Sequence, residues 1–399
     1  MDIGWLVLPV ALPMLLHAAQ DAPKSDMGNY FPFLNDYSTS LVRSMSYSEA
    51  KPSDLEAWRT QCRAKFQELL AYSPAPVTPE AEVLEEVARP GYKRIKLRYR
   101  ITADRTTEAY LLVPDGLKGP APAIVALHCH SGLYYYGKEK IVEVENPSGV
   151  LKDLWTGAYG GRVPADELAR QGFVVFVPDA FYFGSQRLDV DRIPESFTRE
   201  LDGLEAGSDA WIRAYNGVAS KHESLMAKTI FSAGATWPGI MLQGDTASLD
   251  YLLTRPEVDP ERIGCIGLSI GGYRSALLSA MDRRIKAAVV AGWMTTFQSL
   301  MFDHLHSHTW MLYVPRQQQF FDLPDAVTFS APNPLMVINC ERDSLFTMDG
   351  MRAAESKIRA VYTGIGAPGA FTCKYYDVHH SLGIEAQNDA IAWFRTALK

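Results

Sequence analysis

The chain has 399 residues, 47% hydrophobic and 21% charged, which is ordinary globular composition and enough for one large α/β domain with additions. A net charge of −7 without any Lys/Arg run argues against a nucleic-acid surface. Five cysteines without CxxC or zinc spacing supply neither a disulfide framework nor a metal set, and Cys129, Cys265 and Cys340 fall in apolar runs that read as buried thiols.

Residues 4–19 are apolar, and Leu16-His17-Ala18 would suit a signal-peptidase cut. There is no Lys or Arg before Lys24, however, and Pro9 and Pro13 interrupt the run. Residues 1–26 therefore read as a tail or signal segment, with a cytoplasmic chain favoured over a secreted or periplasmic one. The run is short for stable membrane insertion. Residues 27–80 read as a helical extension. Leu55, Trp58, Cys62, Phe66 and Leu69-Leu70 form a helical stripe behind a Ser53 or Asp54 cap, and prolines from Pro74 to Pro79 then break the chain.

Residues 81–399 read as an α/β domain. Strands are predicted at 94–99, 109–113, 123–128, 173–178, before Gly267, and at 285–291, 335–339 and 371–376, with helices at 246–253, 273–281 and 386–398. About eight strands with crossover helices imply a mostly parallel sheet covered on both faces. Two long connections, residues 130–169 and 181–233, leave strand ends where open α/β sheets place ligands. They are lids, binding loops or unrecognised helices.

Gly267-Leu268-Ser269-Ile270-Gly271 spells G-x-S-x-G between an apolar run and a helical one. A serine on such a strand-to-helix turn is pushed out above the sheet, with the helix N-terminus behind it for a developing oxyanion. A nucleophilic serine needs a base, and the base an orienting acid, in the chain order Ser, Asp or Glu, His. Asp343, just past the buried run 335–340, is the best acid, ahead of Glu341 and Asp349. His379 and His380, in the last loop, both qualify as base. The oxyanion donors are expected to be the backbone amides of Ile270 and His130, with Ser131 as the alternative to His130. His304, His306 and His308 alternate, and His128 and His130 form another H-x-H pair. With no third ligand cluster they read as cleft residues, so no metal and no cofactor is expected.

Residues 122–132, Pro178-Asp179-Ala180-Phe181-Tyr182-Phe183-Gly184, residues 255–264 with the elbow, residues 332–343, and His380 with Glu385 and Ala392-Trp393-Phe394 together resemble the dienelactone-hydrolase-like and acetyl-xylan-esterase-like branch of the α/β-hydrolases. The resemblance covers roughly residues 80–399. It implies the α/β-hydrolase fold, Ser269 as nucleophile, Asp343 as orienter and, from the five-residue offset to Glu385, His380 rather than His379 as base. Two positions depart from the pattern. Ser269 stands where true dienelactone hydrolases carry Cys, and Cys129 replaces the usual Gly of the HG-type loop.

The expected function is a serine esterase acting on short-chain, acetyl-type esters of carbohydrates or other polar alcohols. Its partners are small-molecule or carbohydrate esters. The alternatives are a peptidase or amidase, a lactone hydrolase, and a non-catalytic binding module. Tyr134-Tyr135-Tyr136, Trp155, Phe181-Tyr182-Phe183, Trp211, Trp237 and Trp293, with Arg162, Arg187 and Arg192, are expected over the cleft. Nothing in the sequence sets the oligomeric state.

Overall fold

The apolar runs pair into one nine-stranded sheet, one strand more than the eight expected. In a computed structural model describing residues 24–399, the strands are β1 (Ala81–Arg89), β2 (Tyr92–Arg100), β3 (Thr106–Pro114), β4 (Ala121–Leu127), β5 (Val174–Pro178), β6 (Val258–Leu268), β7 (Ala287–Ala291), β8 (Leu335–Cys340) and β9 (Phe371–Tyr376). The signal segment considered for residues 1–19 lies outside the described residues. The strand order is β1-β2-β3-β5-β4-β6-β7-β8-β9. Pairings from β1 through β3 to β5 are antiparallel, and those from β5 to β9 are parallel.

The additional strand is β1. Its sequence, Ala-Glu-Val-Leu-Glu-Glu-Val-Ala-Arg, has no period-2 alternation, and most of its side chains are exposed. The backbone ladder to β2 holds it, aided by charges across the pair: Glu86 with Lys93 at 3.2 Å and Glu85 with Arg94 at 3.3 Å. An edge strand of this kind carries no hydrophobic period to read.

The inner strands behave as their composition dictates. β5, β7 and β8 are buried at every position, as strands covered on both faces must be. Successive residues send side chains to opposite faces: Cys265, Ala288 and Val290 enter one apolar cluster, Ile266, Ala287 and Val289 the other.

In the N-terminal extension, Asp54 accepts the Ala57 N–H at 3.0 Å and caps the helix Leu55–Leu70. That helix buries Trp58, Cys62, Phe66, Leu69 and Leu70. Trp58 and Phe66 meet Phe329 edge-on, at 6.1 and 6.0 Å between ring centres, so the extension shares a core with the sheet. Both long connections are largely folded. The first holds helices Gly149–Tyr159 and Pro164–Arg170, the second the 24-residue helix Asp209–Ser232. The helix predicted at 246–253 begins earlier, at Trp237, because Thr236 caps it and Pro238 fits its first turn. No described helix is long and apolar enough to cross a membrane.

Strand order reverses around β4, so β5 and β6 flank it on opposite sides. The chains leaving β4 and β6 diverge and open a crevice at their C-terminal ends, where doubly wound sheets bind ligands.

Candidate active site

β6 ends at Leu268 and the helix Ile270–Met281 starts two residues later, leaving Ser269 alone to make the turn at φ 61° and ψ −124°. A non-glycine residue in that region is strained, and holding it needs support from both sides. The Ser269 N–H donates to Ala291 O at 2.9 Å, and Ser269 O accepts from Tyr273 N–H at 3.0 Å. The flanking glycines are required by proximity. A Cβ on Gly267 would overlap the backbone of Gly271, and one on Gly271 would overlap the carbonyl oxygen of Leu127. The Ile270 amide, first in its helix, has no intrahelical acceptor.

The loops after β8 and β9 meet beside this turn. His380 Nδ1 lies 2.6 Å from Asp343 Oδ2, while Asp343 Oδ1 accepts the Leu345 N–H at 2.9 Å. The Asp343 side chain is 1% exposed and that of His380 22%. A carboxylate can only accept here, so the imidazole proton sits on Nδ1 and the lone pair on Nε2. That Nε2 is buried without a hydrogen-bond partner, and His380 lines the same cavity as Ser269. The imidazole lies against Gly292 (φ 56°), where a Cβ would stand 3.1 Å from His380 Cε1. His379 is exposed, with Nδ1 3.2 Å from Arg342 O, and Glu341 and Asp349 are exposed as well.

The turn after β4 closes the other side. His128 is fully buried. Its Nε2 accepts from Ala180 N–H at 3.1 Å, so its Nδ1–H donates to Cys129 O at 3.0 Å. Burial, then the charges of Lys140 and Arg274, hold its pKa well below the usual imidazole range. His130 Nδ1 accepts from Gly132 N–H at 3.0 Å, and its Nε2–H donates to Glu223 Oε1 at 2.8 Å. Ser131 and Gly132 carry the turn at φ 52° and 64°. Cys129 does not take a positive φ, so the β-carbon that replaces the usual glycine fits there without strain.

Between these elements lies a cavity of about 430 Å³. Ser269, Ile270, His380, His130 and Ser131 form its floor. Ser220, Glu223 and Ser224 of the helix Asp209–Ser232 make one wall, and residues 306–310 another. Glu223 also accepts from Tyr134 Oη (2.6 Å), Thr309 Oγ1 (2.9 Å) and Trp310 N–H (3.2 Å). Burial raises the Glu223 pKa, but the hydrogen bonds donated by His130, Tyr134 and Thr309 outweigh it and keep the carboxyl below its ordinary range. Trp310 is 40% exposed at the cavity.

Several expected cleft residues lie elsewhere. Arg162 binds Gln387 and Asn388, at 3.0 and 2.8 Å. Arg187 covers the Tyr135 ring at 4.6 Å, and Arg192 pairs with Asp189 in solvent at 3.1 Å. Of the expected aromatics, Tyr134 and Trp293 line the cavity, whereas Trp237 is buried in the core. His306 and His308 reach the wall, with His306 paired to Asp26 at 2.7 Å and His308 Nδ1 bonded to His304 O at 2.8 Å. Among the described residues no three His, Cys, Asp or Glu side chains are grouped to hold a metal. Another cavity, of about 470 Å³, lies between residues 41–49 and 356–361; neither Ser269 nor His380 lines it. Glu223, Trp310 and the serines at 220 and 224 were not singled out from sequence, and no local motif marks them.

The sheet order, the strained serine after a parallel strand and the loops gathered above it define an α/β-hydrolase. The model of the dienelactone hydrolase family matches residues 155–396, and an α/β-hydrolase (Abhydrolase) family model matches residues 39–195. The chain belongs to the dienelactone hydrolase family and is a hydrolase. It is 27% identical over 266 residues to a protein of Bacillus subtilis (strain 168) described as a hydrolase, YtaP; the match covers 66% of this chain and 74% of that one. A crystal structure described as an acetyl xylan esterase of Bacteroides fragilis NCTC 9343 superposes with a TM-score of 0.64 at 16% identity, covering 88% of this chain and 84% of the other. A glucuronoyl esterase from Solibacter usitatus superposes with a TM-score of 0.56 at 15% identity, covering 87% and 95%. At these identities the two structures share the fold.

Proposed function

We propose that this hydrolase is a serine esterase in which Ser269 is the nucleophile, His380 the base and Asp343 its orienting acid. The observation that carries the proposal is the shared cavity. Ser269 sits on its strained turn there, and the same cavity is lined by a histidine whose Nδ1 is held by a buried carboxylate and whose Nε2 has no hydrogen-bond partner among the described residues. His380 Nε2 takes the Ser269 Oγ proton as the oxygen bonds to the ester carbonyl carbon. The carbonyl oxygen, now negative, accepts from the amides of Ile270 and of His130 or Ser131. His380 passes its proton to the departing alcohol, and the acyl group remains on Ser269. Water then adds to the acyl carbon and gives a proton to Nε2. That proton returns to Ser269 Oγ as the acid leaves. Asp343 stays ionised and stabilises the imidazolium.

The substrate we propose is a short acyl ester, acetyl above all, of a carbohydrate or similarly polar alcohol. Hydroxyls of Ser131, Ser220, Ser224 and Ser307 line the cavity with Trp310 beside them, and a long alkyl chain would leave those hydroxyls desolvated. Carbohydrate esters also appear in the names of the two structural relatives. The arginines at 162, 187 and 192 lend no support, because they lie outside the cavity. A fluorophosphonate should label the protein once, and Ser269→Ala should abolish the label. Values of kcat/KM for acetylated sugars should exceed those for 4-nitrophenyl octanoate. Labelling that survives the substitution would remove the proposal, and a preference for octanoate would remove its substrate half.

A further inference from the structure

The Lys140 amine is set where water does not reach, at 0% exposure. It ends a short 3-10 turn, Lys138–Lys140, in the connection after β4. Lys138 is also buried, but it is matched by Asp179 at 3.0 Å, Glu139 at 2.9 Å and Glu108 at 3.4 Å. Lys140 has no carboxylate partner among the described residues. Its amine donates instead to two carbonyl oxygens, Cys129 O and His130 O, each at 2.9 Å, and rests 4.1 Å from the centre of the Phe183 ring. Burying a cation without a counter-ion is costly, far more than two buried carbonyls require for their satisfaction.

Those carbonyls belong to two consecutive peptide groups. The Cys129 carbonyl shares its peptide with the His130 N–H, and the His130 carbonyl shares its own with the Ser131 N–H. In a planar trans peptide the C=O and N–H point in opposite directions. A group that fixes both oxygens from one side therefore directs both N–H groups to the other. Neither amide donates a backbone hydrogen bond within the described residues, and both residues line the Ser269 cavity. An N–H whose own carbonyl is bonded to a charged donor is a stronger donor, because the bonds polarise one another.

We propose that Lys140 is a positioning residue of the reaction: from beneath the turn after β4 it grips the carbonyls of Cys129 and His130, aiming and polarising the amides of His130 and Ser131 toward the oxyanion formed on Ser269. This role presupposes Ser269 as the nucleophile. The ionisable groups around Lys140 are Cys129 and His128 at the end of β4, Lys138 and Glu139 in its own turn, Asp179 after β5, and Arg274 in the helix after Ser269. Burial is the largest influence and brings the Lys140 pKa down to about 7. Cys129, Asp179 and Glu139 oppose that change, and Arg274 adds to it. The ammonium and the neutral amine can both donate to the two carbonyls, but only the ammonium adds its charge. Loss of the proton should therefore lower the rate to a second plateau without abolishing it.

The test measures kcat and KM for 4-nitrophenyl acetate between about pH 6 and 10, with fluorophosphonate labelling alongside. Lys140→Met supplies an apolar chain of similar length, and Lys140→Gln a neutral donor. Removing an oxyanion donor outright costs about 10²–10³ in kcat. Weakening two donors in Lys140→Met should cost about 10- to 100-fold in kcat, with KM within about threefold, and Lys140→Gln should fall between that variant and wild type. Wild type should step down in kcat above about pH 7, and neither folded variant should show the step. A folded Lys140→Met with wild-type kcat overturns the proposal. If neither variant folds, a wild-type kcat without a step between about pH 7 and 10 overturns it as well. Failure of the fluorophosphonate to label wild type at Ser269 would instead remove the serine-esterase proposal, so the two failures are separable.

Discussion

Asp343 Oδ2 stands 2.6 Å from His380 Nδ1, and the carboxylate is sealed from solvent while the imidazole keeps an edge in the cavity. This pairing fixes which ring nitrogen bears the proton, and so decides whether His380 can act as a base. Asp343→Asn presents an amide of nearly the same shape that can turn its NH₂ toward Nδ1. The ring would then protonate Nε2 instead, leaving no lone pair for Ser269. A loss of about 10³–10⁴ in kcat is expected, with KM and the melting temperature little changed, measured by steady-state kinetics and calorimetry.

The two adjacent histidines should separate cleanly. His380→Ala should lose about as much turnover as Ser269→Ala, because groups that act as a unit fail as a unit. His379→Ala removes an exposed ring bonded to Arg342 O and should retain most of the rate. Kinetics on both variants check this, and the reverse ranking would transfer the base to His379.

Glu223 offers a pH test. Its folded pKa is depressed, so its contribution to stability is present above the unfolded carboxyl value of about 4.5 and is lost as pH falls through the folded value. Glu223→Gln cannot accept from four donors with one amide oxygen. Its urea midpoint should fall well below wild type at about pH 7, and the gap should narrow toward about pH 3. A gap independent of pH would show that the carboxylate charge is not what the site uses. Because Glu223 also holds His130, kcat should fall in the same variant.

Trp310 carries the substrate half of the proposal. Trp310→Ala should raise KM for acetylated sugars by about three- to tenfold, the worth of one aromatic stacking contact, and leave kcat and 4-nitrophenyl acetate hydrolysis nearly unchanged. Equal losses on both substrates would show that the ring supports the fold of the wall.

What the sequence discloses depends on how local the cause is. Ser269 lies between flanking glycines that the backbone packing demands, and Asp343 follows a strand apolar at nearly every position; a short window contains each signal. Strands β5, β7 and β8 are legible for the same reason. β1 is not, since cross-strand charges and an edge ladder hold it. The cavity walls are not legible either. Glu223 matters through His130, 93 residues away, and through Trp310, 87 residues away, while its own neighbours in sequence suggest only a helix. The arginines at 162, 187 and 192 failed in the opposite direction. They lie in the long connections, but folding turns them to Gln387, Tyr135 and solvent.

The bonds converging on Glu223 have a consequence for how such an enzyme can diversify. The groups proposed to react follow strands β4, β6, β8 and β9, whereas much of the surrounding wall comes from the inserted helix Asp209–Ser232 and from residues 306–310. Modular ancestry would let a lineage exchange those inserts for a new substrate and keep its rate. Here one carboxylate ties both inserts to His130, in the turn after β4. A replacement insert inherits an obligation to supply an acceptor at that point, and selectivity and speed cannot drift apart freely.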